Sequence, residues 1–141
     1  MDRIKRNDLF MKVAWLFAQR STCNRGRVGT VAVIDNRIIS TGYNGAPSGH
    51  SHCSKENGCD PEKGSCTNAI HAEANLISFA AKAGVSLNNS ILYCTHSPCY
   101  KCAQLIIQAG VKHVYYNVPY HDDSGIELLH RSSILVHNHT I

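Results

Sequence analysis

The chain has 141 residues, a formal net charge of +4 and 43% hydrophobic residues, which is typical of one globular domain with a single core. No apolar run approaches the roughly 20 residues of a membrane-spanning helix, and the charged residues 1–7 are unlike a signal peptide. We therefore predict a single cytoplasmic domain, 1–141, without a membrane partner. The mild positive charge fits a small anionic ligand or loose nucleic-acid contact and does not distinguish them.

Hydrophobic spacing predicts the elements in chain order. Leu9, Val13, Leu16 and Phe17 recur at helical spacing and predict a first helix over 5–20. Runs of β-branched residues predict a hairpin around Asp35-Asn36, with strands 28–35 and 37–43. Residues 44–66 contain Gly, Pro, Ser and several cysteines without a period, which indicates a long, metal-tied loop.

After the loop, helical and strand patterns alternate. This alternation favours parallel strands connected by crossover helices. Gly84 marks the end of the first helix of this half. The predicted elements are helix 71–83, strand 90–95, helix 98–109, strand 112–117, helix 124–131 and strand 133–138.

Two short motifs carry the chemistry: His71-Ala72-Glu73, and Pro98-Cys99-Tyr100-Lys101-Cys102. A catalytic zinc takes three protein ligands and leaves its fourth position to water. His71, Cys99 and Cys102 supply three such ligands, and Glu73 is placed to move protons. A lone C-x-x-C is often a redox pair or half of a structural site, but the two motifs in this order are the signature of zinc-dependent nucleobase deaminases.

Helix ends explain how the two motifs would converge. Ser97 is a candidate N-cap and Pro98 a candidate first helical residue, which would put both cysteines in the first turn. A helix N-terminus stabilises thiolates. His71 and Glu73 are two residues apart and can converge only at a helix end. Thr67 or Asn68 is the candidate cap before them.

The remaining cysteines suggest a second metal. Cys94 lies in an apolar strand and is most simply a buried hydrophobe. Thiols stay reduced in the cytoplasm, so the others favour metal binding over disulfides. Their spacing leaves His52 or His50 as rival ligands, and free surface thiols as the simpler alternative. The four candidate ligands of a closed structural zinc site are Cys23, Cys53, Cys59 and Cys66.

The motifs together resemble the deoxycytidylate (dCMP) deaminases of phages and bacteria, within the cytidine deaminase superfamily. The resemblance covers about Cys23 to Tyr120. It rests on the two zinc motifs, on Asn75 two residues after Glu73, and on the run Gly42-Tyr43-Asn44-Gly45-Ala46-Pro47. One departure is His96, which stands where an aliphatic residue is usual.

The resemblance implies a three-layer α/β/α sandwich with a five-stranded mixed sheet and hydrolytic deamination of dCMP to dUMP for thymidylate synthesis. It also implies a homo-oligomer, often a hexamer, regulated by dCTP and dTTP. Asn44 matches the family asparagine that contacts the deoxyribose. Cys23 and Cys53 match ligands of a second zinc in several relatives.

We expect Glu73 to take a proton from zinc-bound water, deliver it to ring N3, and then assist the loss of ammonia from C4. Other substrate contacts are open. Arg25 and Arg27 would hold a monophosphate or form a solvated basic turn. Tyr120 would cover the nucleotide or pack elsewhere. Asn75 would orient the loop that carries Asn44 or make a simple helix-to-loop contact.

Three other functions compete with dCMP deamination. The same chemistry acts on bases in RNA or single-stranded DNA, but the chain lacks the basic stripe and clustered aromatics of strand binders, so no nucleic-acid partner is expected. A free nucleoside or a riboflavin precursor is a second possibility. A non-catalytic zinc module, in which Glu73 has no role, is the third.

Overall fold

The computed structural model describes residues 1–54 and 68–141. Every predicted element is present in these ranges, with ends within two residues of the predicted ends. The elements are α1 (Arg6–Ala18), β1 (Gly29–Ile34), β2 (Arg37–Tyr43), α2 (Ala72–Ala83), β3 (Ile91–His96), α3 (Tyr100–Gln108), β4 (His113–Val118), α4 (Ser124–Arg131) and β5 (Leu135–Asn138).

The strands form one mixed sheet in the order β2-β1-β3-β4-β5. β1 pairs antiparallel with β2 and with β3, whereas β3–β4 and β4–β5 are parallel. Asp35 and Asn36 join β1 and β2 with φ values of 50° and 61°, which is the left-handed pair that a tight two-residue hairpin requires. The predicted hairpin and the predicted parallel half are both confirmed.

Helices cover both faces of the sheet. On one face α1 packs against β1 and β3, and its core includes Met11, Val31 and Tyr93. On the other face α2, α3 and α4 bury a larger core that includes Leu76, Ile106 and Leu129. The predicted three-layer α/β/α arrangement is therefore confirmed.

Of the four apolar residues whose spacing predicted α1, Val13 and Phe17 pack against the core and the two leucines do not. Leu9 and Leu16 are 41% and 61% exposed, while Ala14 and Ala18 are buried against the start of β1. A Cβ on Gly29 would lie 2.1 Å from the carbonyl oxygen of Ala14. This close approach of helix to strand selects small residues on both sides, at Ala14, Ala18 and Gly29.

The topology brings the ends of several strands and helices to one edge of the sheet. Parallel β3 and β4 end at the same edge, where the segments that follow them meet. α3 starts there, directly after β3. α2 packs against β2 and β1 and also contacts α3. Within 1–54 and 68–141, no helix has the length and apolar character that a membrane crossing requires.

Gly42 holds the start of α2 against β2. A Cβ on Gly42 would lie 2.3 Å from the carbonyl oxygen of Ala72 and 2.7 Å from the backbone nitrogen of Leu76, and neither backbone atom can rotate away. We expect Gly42→Ala to lower the free energy of unfolding, measured by urea denaturation, by about 3 kcal/mol. Gly45→Ala is the matched control, because a Cβ there has no neighbour within 4 Å. Equal stability of the two variants would contradict this packing.

Candidate active site

Two helix N-termini face each other at this edge. His71 is the N-cap of α2 and Cys99 is the N-cap of α3, both with extended backbone. Their carbonyl oxygens accept the first helical hydrogen bonds, from Asn75 at 2.9 Å and from Ala103 at 2.9 Å. An N-cap side chain is free to point past the helix axis. His71 and Glu73 therefore converge at a helix end, as the sequence predicted.

The predicted caps themselves are wrong. The Ser97 hydroxyl accepts the backbone N–H of Tyr120 at 2.6 Å instead of capping α3, and the helix begins two residues after Pro98. Asn68 donates to the Cys53 sulfur, and Thr67 lies outside the described residues. α2 starts late because Ile70 is still held in an extended bridge to Gly45.

His71, Cys99 and Cys102 form a metal-ligand cluster. His71 Nδ1 lies 3.5 Å from Cys99 Sγ and 3.4 Å from Cys102 Sγ. Tetrahedral zinc with ordinary Zn–N and Zn–S bonds separates two such ligands by about 3.5 Å. Both nitrogen-to-sulfur distances therefore fit zinc, and the three ligand atoms all lie within 4.8 Å of one another. In the part of the chain that the structure describes, no other three His, Cys, Asp or Glu side chains converge in this way.

The two thiols differ in protonation. The hydrogen bond from the Cys102 thiol, together with a smaller contribution from His71, outweighs the effect of burial and lowers the pKa of Cys99 to about 4. The pKa of Cys102 is raised because its proton is held in that hydrogen bond. The position of both residues at the start of α3 also favours thiolates. A zinc ion held by these ligands would displace the remaining proton.

Glu73 lies beside the cluster without belonging to it. Its side chain is 4% exposed, and burial raises the pKa of the carboxyl group. The backbone N–H of Glu73 and the neighbouring Cys102 side chain favour the carboxylate and offset part of that rise in pKa. A buried carboxyl group with a raised pKa, next to a metal site with an open position, is suited to accept and return a proton.

The cluster opens into a cavity of about 660 Å³. Arg25 and Tyr120, both predicted to contact substrate, are part of its wall. The lining comes from the segment before β1, the start of α2, and the segments after β3 and β4. It consists of Cys23, Arg25, Gly26, Val28, Ala69, His71, Ala72, Glu73, His96, Ser97, Cys99, Tyr120 and His121.

The predicted asparagines brace this wall from behind. Asn44 accepts the N–H of Val28 at 2.8 Å and donates to the carbonyl oxygen of Gly26 at 2.8 Å. Asn75 donates to the carbonyl oxygen of Tyr43 at 2.9 Å, directly before Asn44. Neither side chain lines the cavity, and neither does Arg27. Direct substrate contacts of these three residues stay predictions.

Comparison with known proteins agrees with this geometry. Residues 4–118 match the model of the family described as the cytidine and deoxycytidylate deaminase zinc-binding region. The chain belongs to the cytidine and deoxycytidylate deaminase family.

Similar family members include ComE operon protein 2 of Bacillus subtilis strain 168, 46% identical over 120 residues, which are 85% of this chain and 63% of that protein. The deoxycytidylate deaminase of Mycobacterium phage D29 is 37% identical over 126 residues, 82% of this chain and 97% of that protein. The crystal structure of the dCMP deaminase of cyanophage S-TIM5, in complex with dCMP and dUMP, matches with a TM-score of 0.88 and 39% identity, over 99% of this chain and 100% of that chain. This chain thus spans less than two thirds of the Bacillus protein but the whole cyanophage chain.

Three polar residues of the cavity wall were not predicted as site residues. His96 is the last residue of β3, Ser97 follows it, and His121 follows Tyr120 after β4. In a sequence, a single polar residue at the end of a strand is only weak evidence for a binding or catalytic site. The pairing of parallel β3 with β4, together with the rule that ligands bind at the carboxyl ends of such strands, would have singled them out.

The cysteines assigned to a second metal are only partly described. Cys53 is 8% exposed, and Cys23 lines the cavity. Thr22 Oγ1 and His52 Nδ1 are 3.1 Å apart, so the neighbouring residues Cys23 and Cys53 belong to segments that touch. Cys59 and Cys66 lie outside the described residues.

Proposed function

We propose that this chain catalyses the hydrolytic deamination of dCMP to dUMP, with residues 1–141 acting as one catalytic domain. The observation that carries the proposal is the buried Glu73 beside a three-ligand metal cluster that opens into a nucleotide-sized cavity. The close match to the S-TIM5 dCMP deaminase, whose structure contains dCMP and dUMP, supports the choice of substrate.

Each residue of the cluster then has a role. His71, Cys99 and Cys102 would hold the zinc, which when bound supplies Lewis-acid activation of water. Glu73 takes the proton of the attacking water, transfers it to N3 of cytosine, and so makes C4 electrophilic. After the water oxygen has bonded to C4, Glu73 takes the proton of the new C4 hydroxyl group and passes it to the amino group, so that the C4–N bond breaks, ammonia leaves and C4 becomes the carbonyl of dUMP. The burial of Glu73 keeps this proton away from bulk solvent.

A substrate panel tests the proposal. Purified zinc-replete protein is incubated with dCMP, dCTP, deoxycytidine and cytidine, while the ultraviolet change and ammonia release are followed. We expect dCMP to be the preferred substrate. Deamination only of a nucleoside would move the substrate assignment away from dCMP. No turnover of any pyrimidine would favour a non-catalytic zinc module.

Arg25 supports a preference for the monophosphate. Arg25 lines the cavity that contains the metal cluster, and its side chain is positively charged. A charge-assisted hydrogen bond contributes about 1.5–3 kcal/mol, so we expect Arg25→Ala to raise KM for dCMP by about tenfold or more and to leave deoxycytidine turnover unchanged.

Arg27→Ala is the matched control, because Arg27 is two residues away on the same segment but outside the cavity wall. If the two variants have the same KM for dCMP, Arg25 has no special role. In that case both arginines belong to a solvated basic turn.

A second, structural zinc is also proposed, bound by Cys23, Cys53, Cys59 and Cys66. The contact between Thr22 and His52 supports it, because it brings the Cys23 and Cys53 segments together. We expect two zinc ions per chain by metal analysis, and one in Cys53→Ser with a lower melting temperature. Cys94→Ala, a buried thiol in β3, should keep both ions. One ion in the wild type would remove the four-cysteine site.

The resemblance further predicts a homo-oligomer, for which a hexamer is the expected form, and control by dCTP and dTTP. Sedimentation would determine the number of subunits. Initial rates with and without dCTP or dTTP would determine the effector response. Both properties stay predictions.

A further inference from the structure

Gly125 is a buried glycine in the first turn of α4. Glycine is less favourable in a helix than every residue except proline, because it loses the most backbone freedom on folding. The φ of Gly125 is not in the left-handed region, so its backbone conformation does not require glycine. The absence of a side chain at this position therefore has to be explained by what packs against it.

The backbone just before α3 packs against Gly125. A Cβ on Gly125 would lie 2.2 Å from the carbonyl oxygen of Pro98, 2.8 Å from the carbonyl carbon of Cys99 and 2.9 Å from the carbonyl oxygen of Cys99. All three are backbone atoms, which cannot rotate away as the end of a side chain can. One turn later in α4, Leu129 is fully buried in the larger core and fixes the helix there. Gly125 therefore determines how closely α4 approaches the backbone of Cys99.

Cys99 depends on contacts from outside its helix more than Cys102 does. Cys99 is the N-cap of α3, so its own backbone is extended, and its carbonyl oxygen accepts the helical hydrogen bond from Ala103. Cys102 lies within α3 and is 3% exposed. The helix and the core hold the sulfur of Cys102, whereas the position of Cys99 depends on what packs against the peptide bond between Pro98 and Cys99.

Ser97 provides a second contact on the same side. It is 4% exposed, and its hydroxyl oxygen accepts the backbone N–H of Tyr120 at 2.6 Å. Its own backbone N–H donates to the carbonyl oxygen of Val118 at 3.0 Å. The segment that runs from the end of β4 to Gly125 therefore contacts the backbone around Cys99 at two places, two residues before this ligand and at the ligand itself.

We propose that Gly125 and Ser97 are positioning residues of the metal centre, which hold Cys99 where its sulfur can bind zinc. Cys99 Sγ lies 3.5 Å from His71 Nδ1, which is the separation of two ligands on tetrahedral zinc. Cys99 is half-buried and lines the cavity, so an added methyl group at position 125 can displace it toward that open space. The proposal requires the metal cluster but not the choice of dCMP as substrate.

The zinc affinity of Gly125→Ala, measured by competition with a chelator, tests the proposal. We expect this variant to bind zinc about 10–100-fold more weakly than the wild type, which is the usual loss when an outer-shell partner of a metal ligand is changed. Gly29→Ala is the matched control, because a Cβ there would lie 2.1 Å from a backbone carbonyl oxygen, that of Ala14, where α1 packs on β1. It should lose stability and keep the zinc affinity of the wild type. Wild-type affinity in Gly125→Ala, or the same loss in Gly29→Ala, would overturn the assignment.

A double-mutant cycle shows whether Gly125 acts through Cys99. In Cys99→Ala the ligand is already missing, so adding Gly125→Ala should change the zinc affinity by less than about threefold. In Cys102→Ser, where Cys99 is retained, the same addition should weaken zinc binding by about tenfold or more. The same factor in both backgrounds would show that Gly125 acts on the fold as a whole, and would contradict the proposal.

Ser97→Ala tests the second contact and adds no atom, so it decides the question if Gly125→Ala does not fold. We expect zinc binding to weaken by about two- to tenfold, the equivalent of one net hydrogen bond. Ser132→Ala is the control, because it removes a hydrogen bond to the carbonyl oxygen of Leu128 at the other end of α4. Unchanged affinity in Ser97→Ala, or an equal loss in Ser132→Ala, would refute the positioning role. A protein that binds zinc but deaminates no pyrimidine would remove the proposed function and leave these measurements valid.

Discussion

Replacing Glu73 with glutamine is expected to lower kcat for dCMP by about 10²–10⁴-fold, while the zinc content stays the same as in the wild type. The range is the usual contribution of one general acid–base group. Glutamine has nearly the shape of glutamate but cannot accept the proton of water. Because Glu73 lies outside the metal cluster, its replacement leaves all three zinc ligands in place. Rates of ammonia release and metal analysis of the same sample provide the measurement.

The stability of this variant gives an independent check. Burial raises the pKa of Glu73, so the folded state disfavours the ionised carboxylate relative to the unfolded chain. The free-energy cost of burying the ionised carboxylate is present at neutral pH and falls as the pH is lowered and the group is protonated. A neutral glutamine avoids this cost, so the melting temperature of the variant should be no lower than that of the wild type. Glu127→Gln, on the exposed face of α4, is the control for both readouts. A Glu73→Gln enzyme with wild-type turnover would refute the proton-transfer role.

Replacing Cys102 with serine is expected to abolish activity through loss of the metal. Cys102 is buried in the first turn of α3, and its sulfur lies 3.4 Å from His71 Nδ1. Loss of even an outer-shell partner weakens metal binding by about 10–100-fold, so loss of a direct ligand should weaken zinc by more than about 100-fold. Dialysis against a chelator, followed by metal analysis and the dCMP assay, measures this effect.

Cys94→Ala is the matched control for Cys102→Ser. Cys94 is also a fully buried thiol in the core of the same domain, but it is not part of the metal cluster. It should keep both zinc and activity, apart from a modest loss of stability. Retention of the catalytic zinc by Cys102→Ser with wild-type affinity would contradict the ligand set.

The catalytic cluster was predictable because zinc chemistry constrains which residue types can appear together. Thiolates three residues apart at a helix start, and a histidine two residues before a glutamate, leave few other readings. The sheet was predictable for a similar reason. Asp35-Asn36 supplies the left-handed pair of a hairpin turn, and Gly84 ends α2 in the left-handed conformation. In each case the chemistry of one or two residues determines local structure.

The wall of the cavity was much less predictable, because its residues come together only through tertiary register. His96 and Tyr120 are neighbours since β3 and β4 are parallel and end at the same edge. Asn44 has an amide group that could bind substrate, yet its oxygen accepts the backbone N–H of Val28 and its nitrogen donates to the carbonyl oxygen of Gly26. α3 also begins after Pro98 and not at it, because the Ser97 hydroxyl accepts a hydrogen bond from the segment after β4 and does not cap the helix. Side-chain contacts of this kind depend on residues that are far away in the sequence.

Deamination of dCMP in water enriched with heavy oxygen tests the central claim most directly, because the proposed reaction adds one solvent oxygen to C4. With zinc-replete protein we expect every dUMP formed to carry one heavy oxygen at C4 and one ammonia to be released per dUMP, as measured by mass spectrometry and an ammonia assay. Formation of dUMP without the heavy atom, or no dUMP at all from fully metallated protein, would contradict the account.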